Sequence, residues 1–426
     1  MIPVDVDFSL HMIDENLTSP LSITVINLTK NADVYYWTFE NGDPATSSKK
    51  DPGTIIFTSP GEHKISLEAW NSGDHKAKSS LIHVDSIVRL DFSSEVEINN
   101  YAPAQIHIIN RSSGGSNYRW IFEGGDPATY EGFSPPSITY HQKGNYDIIL
   151  IANNGSADFI LRKNIEILDS LNATFAIIPS FEDIDDMEAP FRARLKADLQ
   201  GVESILWKCD NAVITNETSP DADLFINEAG TYTVYLNISN GKQEKTVSSE
   251  IIVKPNTNLR SHNDIRFGIN TAQESIGSVY STLLRRNFKS SEINASNGPF
   301  IDIAFLGLNA TFVYNRFISP DNLFDTPLTP VIGAKTTKFI NLQEQRSPVQ
   351  LTVEQFNTMT TDIYLKELDL TIVDTANDYF SSSSLPRIVL FETADGRKGA
   401  ILVKEIVKNG LENSYILTDI KIQKND

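Results

Sequence analysis

The side chains best able to do chemistry are scattered along this chain. Its histidines are His11, His63, His75, His83, His107, His141 and His262. None stands in HExxH or at another metal-ligand spacing, so they read as satisfied strand-end or surface side chains. The GxSxG elbow, the Walker A loop, GxGxxG and the EF-hand loop are absent from the sequence, which leaves the common nucleotide and hydrolase chemistries without their signatures. The single cysteine, Cys209, excludes an internal disulfide framework and a CxxC knuckle. It follows Trp207 by two residues in a strand-like run and reads as a small buried hydrophobe. The densest acidic stretch is "FEDIDDME", where Asp183, Asp185 and Asp186 could offer oxygen ligands to calcium. It lacks the turn glycine and the bidentate Glu of a calcium loop, so a solvated acidic loop is the favoured reading, and no metal or other cofactor is expected.

The elements that carry these residues announce themselves by repetition. "YYWTFENGDPATS" at 35–47 returns as "NYRWIFEGGDPATY" at 117–130. At an offset of 83 residues Pro20 falls on Pro103, Asn27 on Asn110, Gly61 on Gly144, Ala69 on Ala152 and Asn71 on Asn154, with Phe8 on Phe92 after one residue of slip. This is domain duplication. Phe175, Pro190, Trp207, Gly230 and Asn240 form a third, worn copy in which "WKCDNAVIT" stands in place of the D-P-A-T loop. Runs such as "LSITVINLT", "HKISLEAWN" and "YTVYLNISN" alternate apolar and polar residues between Gly, Asn and Pro, the pattern of half-buried antiparallel strands. About seven short strands per unit point to an immunoglobulin-like sandwich with a Trp plug between its sheets. Trp37, Phe39, Trp120, Phe122 and Trp207 are therefore expected in the cores, with "ENGDPAT" and "EGGDPAT" as tight, exposed connections.

The W-x-F phrase, the Gly/Asp-rich turn and the later "GNYDIILIANN" resemble the PKD (polycystic kidney disease) domain pattern, in a variant similar to surface proteins of Bacteroidetes-type bacteria. The second copy fits through Gly144, Tyr146, Ile148, Leu150 and Asn154; the first carries His63 where Tyr is usual, and the third lacks the acidic turn. The resemblance implies spacer, adhesion or interaction modules and no chemistry. Residues 257–426 resemble, more weakly, the C-terminal regions of bacterial surface lipoproteins, through "IDIAFLG" and "FETADGRKGAILVKEI". That resemblance implies an extracellular or outer-membrane location with a lipid anchor that this sequence does not contain.

The expected organisation is mainly all-β: PKD-like sandwiches over 1–85 and 86–169, a divergent one over 170–256, and a β-rich α+β domain over 257–426. Junctions near Asp85-Ser86-Ile87 and Asp169-Ser170-Leu171 are short, which predicts neighbouring sandwiches that touch in a semi-rigid rod. These triplets and Asp374-Thr375-Ala376 resemble a bacterial O-glycosylation signal, although chance and linker composition are the favoured explanation. In the last domain "TVEQFNTMTTDIY" spaces Phe356, Met359 and Ile363 as one helical face behind a Thr352 N-cap. "PRIVLFETADGRKGAILVKEIVKNGLENSYILTDIKIQ" reads as a three-stranded meander with Asp395-Gly396 at its first turn.

Net charge is -19 over 426 residues, with 40% hydrophobic content. Such acidity argues against nucleic acid and against electrostatic membrane docking. No apolar run reaches membrane-spanning length, and "MIPVDVDFSL" has neither the basic nor the apolar region of a signal peptide. Sugar sites stack on amphipathic rings. Trp70 is the one Trp the repeat does not require, since the second copy has Asn153 there. A rim-exposed binding role and packing against a neighbouring domain are both open to it. With Tyr314, Phe317, Tyr364 and Tyr379 it makes up the candidate binding set. The leading expectation is a non-enzymatic, monomeric cell-surface protein whose C-terminal domain binds a glycan or a protein partner. The alternatives are a hydrolase with carboxylates paired in space and a plain spacer.

Overall fold

The computed structural model describes residues 2–13, 16–373 and 378–424, so Asp374-Thr375-Ala376 lies outside the described residues. The chain divides into two compact units. The first holds the three sandwiches, and the second holds residues 253–426 with the short stretches 186–190 and 228–230.

Alternation in the sequence becomes two antiparallel sheets in each sandwich. In the first, Phe8–Met12, Leu21–Asn27, Gly53–Phe57 and Gly42–Asp43 form one sheet, and Thr46–Ser47, Val34–Phe39, Gly61–Trp70 and His75–Val84 form the other. The second sandwich repeats this order from Phe92–Val96 to Asp158–Ile167. The third keeps four strands in one sheet, but its other sheet has only Ser204–Cys209, Gly230–Ser239 and Glu244–Val253.

Between the sheets sit Trp37, Trp120 and Trp207, at most 1% exposed. Each meets a Phe edge to face from the opposite sheet: Phe8, Phe92 and Phe175, at 5.3, 5.1 and 5.0 Å between ring centres. A buried indole N–H needs an acceptor. Each finds a carbonyl twelve residues downstream, that of Lys49, Gly132 or Ser219, at 3.1, 3.1 and 2.9 Å.

The D-P-A-T loop is exposed at Asp43, Pro44, Ala45 and Thr46 as expected, but it is more than a tight connection. Gly42–Asp43 pairs with Gly53–Phe57 while Thr46–Ser47 pairs with Trp37 and Thr38, so the loop crosses from one sheet to the other. Gly42 is buried, and a Cβ there would lie 2.8 Å from Cβ of Phe39 and 2.9 Å from Cγ2 of Ile55. At Gly125 it would meet Cγ2 of Ile138 at 2.6 Å. The glycine is demanded by packing against the core as much as by the turn. Losing this loop is what leaves the third sandwich one strand short.

Neighbouring sandwiches in the first unit touch through one repeated turn. Asn154 Nδ2 donates to Thr18 Oγ1 and to the Ser86 carbonyl, both at 2.9 Å, and Ser156 donates to the Asp85 carboxylate. At the next junction Asn99 of the second sandwich donates to the Asn240 carbonyl of the third at 2.7 Å, while Lys242 Nζ of the third donates to the carbonyls of Tyr101 and Pro103 of the second. Asp85 is thus buried at the junction, where its carboxylate accepts from Ser156.

The second unit pairs a five-stranded sheet with a four-stranded one. The first runs Leu259–Gly268, Tyr415–Gln423, Lys398–Val407, Arg387–Glu392, Lys338–Ile340, and includes the expected meander; the second runs Arg286–Phe288, Val279–Ser281, Ile303–Gly307, Asn315–Ile318. One cluster centred on Phe267, Phe305 and Phe391 involves residues of both sheets. Further clusters, around Phe356 and Leu390 and around Val279 and Leu323, draw on the same strands. Strands packed on both faces read as continuous apolar runs, which explains "IAFLG" at 303–307 and "RIVLF" at 387–391. The helix is shorter than the spacing predicts. Thr352 caps Val353–Thr358 in a capping box with Gln355, but the chain leaves the helix at Met359 and resumes only over Ile363–Lys366. Phe356 and Met359 are buried, whereas Ile363 is exposed and Leu365 takes the inward position.

Trp120→Ala should destabilise the second sandwich by about 3–5 kcal/mol, and Gly125→Ala should lower its stability through the Ile138 contact. Urea unfolding of both variants, followed by circular dichroism, should show an earlier transition in each.

Candidate functional site

The repeated Trp frame is consumed by the core, so recognition falls to residues outside it. His63 illustrates a frame residue with a structural duty. It is buried, stacks on Phe57 at 5.3 Å, and its Nε2 sits 2.7 Å from the Ser59 carbonyl. In the second sandwich the Tyr146 hydroxyl makes the equivalent bond to the Gln142 carbonyl at 3.1 Å, so the histidine replaces a tyrosine without a change of role. Burial pushes the Cys209 thiol up, away from the thiolate form a nucleophile needs.

The aromatic candidates separate into different places. Phe317 is 2% exposed and stacks on Phe339 and Phe380 in the core of the second unit. It is not a binding residue, because the strand Asn315–Ile318 is buried on both sides. Tyr364 lies exposed on the helix Ile363–Lys366. Tyr314 and Tyr379 come together: Tyr314 is 53% exposed and meets Tyr379 edge to face at 5.8 Å. The Arg316 guanidinium lies 4.9 Å from the Tyr379 ring centre, a cation–π contact.

This corner is held by backbone. Asn315 and Phe380 exchange backbone hydrogen bonds of 3.0 and 2.8 Å, and the buried Asn315 side chain donates to the carbonyls of Phe312 and Phe380. Upstream, Asn309 Oδ1 accepts from the Thr311 backbone, and Phe312 adopts φ 54° as it turns into the core. The turn thereby presents Val313 and Tyr314 outward. A left-handed Phe is rare, and no sequence pattern signals it; the sequence reading missed Val313 and Arg316 for that reason.

Trp70 is half-buried at the hairpin end of the first sandwich, edge to face with His75 at 5.6 Å, beside an open hollow of about 600 Å³.

The acidic loop does not gather its carboxylates. Asp183 is buried and accepts from Ser180 Oγ at 2.5 Å and from the Arg192 backbone at 3.0 Å. Asp185 is exposed, and Asp186 lies 2.8 Å from Lys424 Nζ. Among the described residues no group of three or more His, Cys, Asp and Glu side chains is placed to hold a metal ion. In the second unit a cavity of about 270 Å³ is lined by Glu344 and Arg387, which pair with each other, together with Leu351, Val353 and Ile388.

A buried polar network in the second unit was not legible in the sequence. Asp302 accepts from the Thr282 backbone at 3.0 Å and from its hydroxyl, and lies 3.6 Å from Arg397, which also bonds Asp395 at 3.0 Å. Nearby, His262 Nδ1 meets the Tyr280 hydroxyl at 3.1 Å, while Nε2 is buried without a hydrogen-bond partner among the described residues. His262 is therefore neither a surface histidine nor fully satisfied. Burial, reinforced by Arg260, Arg285 and Arg397, lowers its pKa to about 3. Burial raises Asp302 to about 6 against the opposing pull of the Thr282 hydrogen bonds and Arg397.

The sandwiches define the class as immunoglobulin-like β-sandwich repeats. Residues 5–84 match the family model of the PKD domain. Among solved structures, an I-band fragment from titin is similar at 12% identity, covering 60% of this chain and 99% of that one, with a TM-score of 0.36. The FN1-FN3 domains of chicken CNTN1 align at 10% identity over 58% of this chain and 97% of that one, with a TM-score of 0.21. Sidekick-1 immunoglobulin domains 1-5 align at 11% identity over 59% and 60%, with a TM-score of 0.26. No curated protein matches. Among the described residues no helix is long and apolar enough to cross a membrane.

The two shifted groups predict opposing pH effects. Unfolded, His262 takes a proton below its ordinary 6.5, whereas folded it stays neutral to about 3, so its contribution is full above pH 6.5 and is lost as pH falls toward 3. Asp302 holds its proton up to about pH 6 when folded but only to its ordinary 3.8 when unfolded, so its contribution declines as pH rises from about 4 to 6. His262→Asn removes the first effect alone. The stability gap between the native chain and this variant, read from urea midpoints, should narrow as pH is lowered from 6.5 toward 4.

Proposed function

We propose that this is a non-enzymatic extracellular protein in which tandem sandwiches space and present a C-terminal unit that binds a glycan or a protein partner through the Tyr314–Tyr379 corner. One observation carries the reading: an aromatic pair, with Tyr314 exposed and Tyr379 half-buried and flanked by Arg316, is mounted on backbone that the buried Asn315 locks in place. Pre-ordered aromatic side chains lose little entropy on contact and suit recognition. The PKD match over residues 5–84 supports the spacer role, since such modules contribute sheets and cores without a reactive centre. Surface attachment through a lipid anchor is carried by the resemblance to bacterial surface lipoproteins described above. The hydrolase alternative is weakened by the pairing of Glu344 with Arg387 and of Asp302 and Asp395 with Arg397, which commits these carboxylates to local ion pairs.

A glycan-array and surface-protein pull-down screen with the full chain should give binding that Tyr314→Ala reduces by about ten-fold or more, with unfolding midpoints unchanged. Turnover of a polysaccharide or peptide substrate by the same protein would overturn the non-enzymatic reading.

A further inference from the structure

The hairpin that closes at residues 70–75 recurs in every sandwich, with different chemistry at its last cross-strand pair. In the second sandwich Asn153 faces Asp158, and its Nδ2 donates to Oδ1 at 2.7 Å. In the third, Ser239 and Glu244 end the same two strands. The first sandwich has Trp70 facing His75. A hydrogen-bonded polar pair closes the second hairpin, so the fold itself does not call for an indole at this position.

Each sandwich has a hollow on this face. Asn153 and Asp158 help line one of about 810 Å³ in the second, and Ser239 and Glu244 one of about 260 Å³ in the third. The hollow of about 600 Å³ in the first is lined by Glu68, Trp70, Asn71, Asp74 and His75 with the intervening turn. The turns of the second and third sandwiches are taken up by the neighbouring sandwich, as described above. The contacts of Asn71 and Asp74, by contrast, are with their own sandwich: Asn71 Nδ2 donates to the carbonyls of Ile2 and Asn31, and Asp74 accepts from the backbones of Val4 and His75.

We propose that this hollow binds a neutral saccharide stacked on Trp70. An indole offers a plane with an apolar face to the C–H side of a sugar ring. The edge contact from His75 at 5.6 Å restrains the indole, which reduces the entropy lost on stacking. Around it, Glu68 accepts from His75 at 3.2 Å with one carboxylate oxygen, leaving acceptor positions for sugar hydroxyls, since a carboxylate has about four lone-pair sites. The rim carboxylates, Glu68 and Asp74, repel phosphate and acidic sugars, which leaves neutral sugars as the saccharides that fit.

Intrinsic fluorescence reads this site selectively, because Trp37, Trp120 and Trp207 are sealed in cores. The full chain is titrated with neutral oligosaccharides of glucose, galactose, mannose and xylose. A saturable emission change with at least one series is expected. Trp70→Asn, which installs the residue of the second sandwich and keeps the hairpin, should weaken that binding by about ten-fold or more as read by calorimetry. Tyr314→Ala should leave it unchanged, which separates this site from the C-terminal corner. The proposal is overturned if no series alters the emission at millimolar concentration, if Trp70→Asn binds as the native chain does, or if peptides bind the hollow and sugars do not.

Discussion

The sandwiches depend on a single interaction, an indole wedged between two sheets with its N–H tied to a carbonyl twelve residues away. The apolar body of the ring fills the gap between the sheets, and the hydrogen bond removes the cost of burying its polar atom. The partner carbonyl belongs to the segment after the W-x-F strand, so the same bond anchors the loop that follows. That constraint survives in the third sandwich although the D-P-A-T loop does not. The wedge thus holds without the loop that crosses between the sheets.

Much of this was legible because the residues repeat. Trp37, Phe39, Trp120, Phe122 and Trp207 could be assigned to cores from spacing alone, since a strand alternates its faces and W-x-F puts both rings on one side. What spacing does not report is which turn packs inward. Gly42 reads as a loop residue, and its burial against Phe39 and Ile55 follows from the sheet-to-sheet crossing, a feature of three dimensions. Phe317 and Tyr314 show the same limit in the second unit. Both are aromatic residues near one strand, but burial on both faces of Asn315–Ile318 erases the alternation that would have told them apart.

The helix and the polar network fail to appear in the sequence for other reasons. Ile363 keeps the helical spacing of Phe356 and Met359, yet the chain breaks at Met359, and a periodic pattern carries no information on continuity. His262, Tyr280 and Asp302 are far apart in the chain and are brought together only by the pairing of the second unit's strands. Buried ionisable groups of this kind shape stability against pH, and their partners, Arg260, Arg285 and Arg397, show that the interior of this unit is more polar than its sequence runs suggest.

The division of labour follows from the wedge. Three tryptophans are spent on architecture, and the fourth, at a position where the repeat uses Asn or Ser, is left at the surface with two tyrosines in the other unit. Indole N–H hydrogen exchange, resolved by NMR on the tryptophan-labelled chain, tests this most directly. The account predicts three strongly protected indole protons and one, from Trp70, that exchanges rapidly. Rapid exchange at Trp37, Trp120 or Trp207 under native conditions would contradict it.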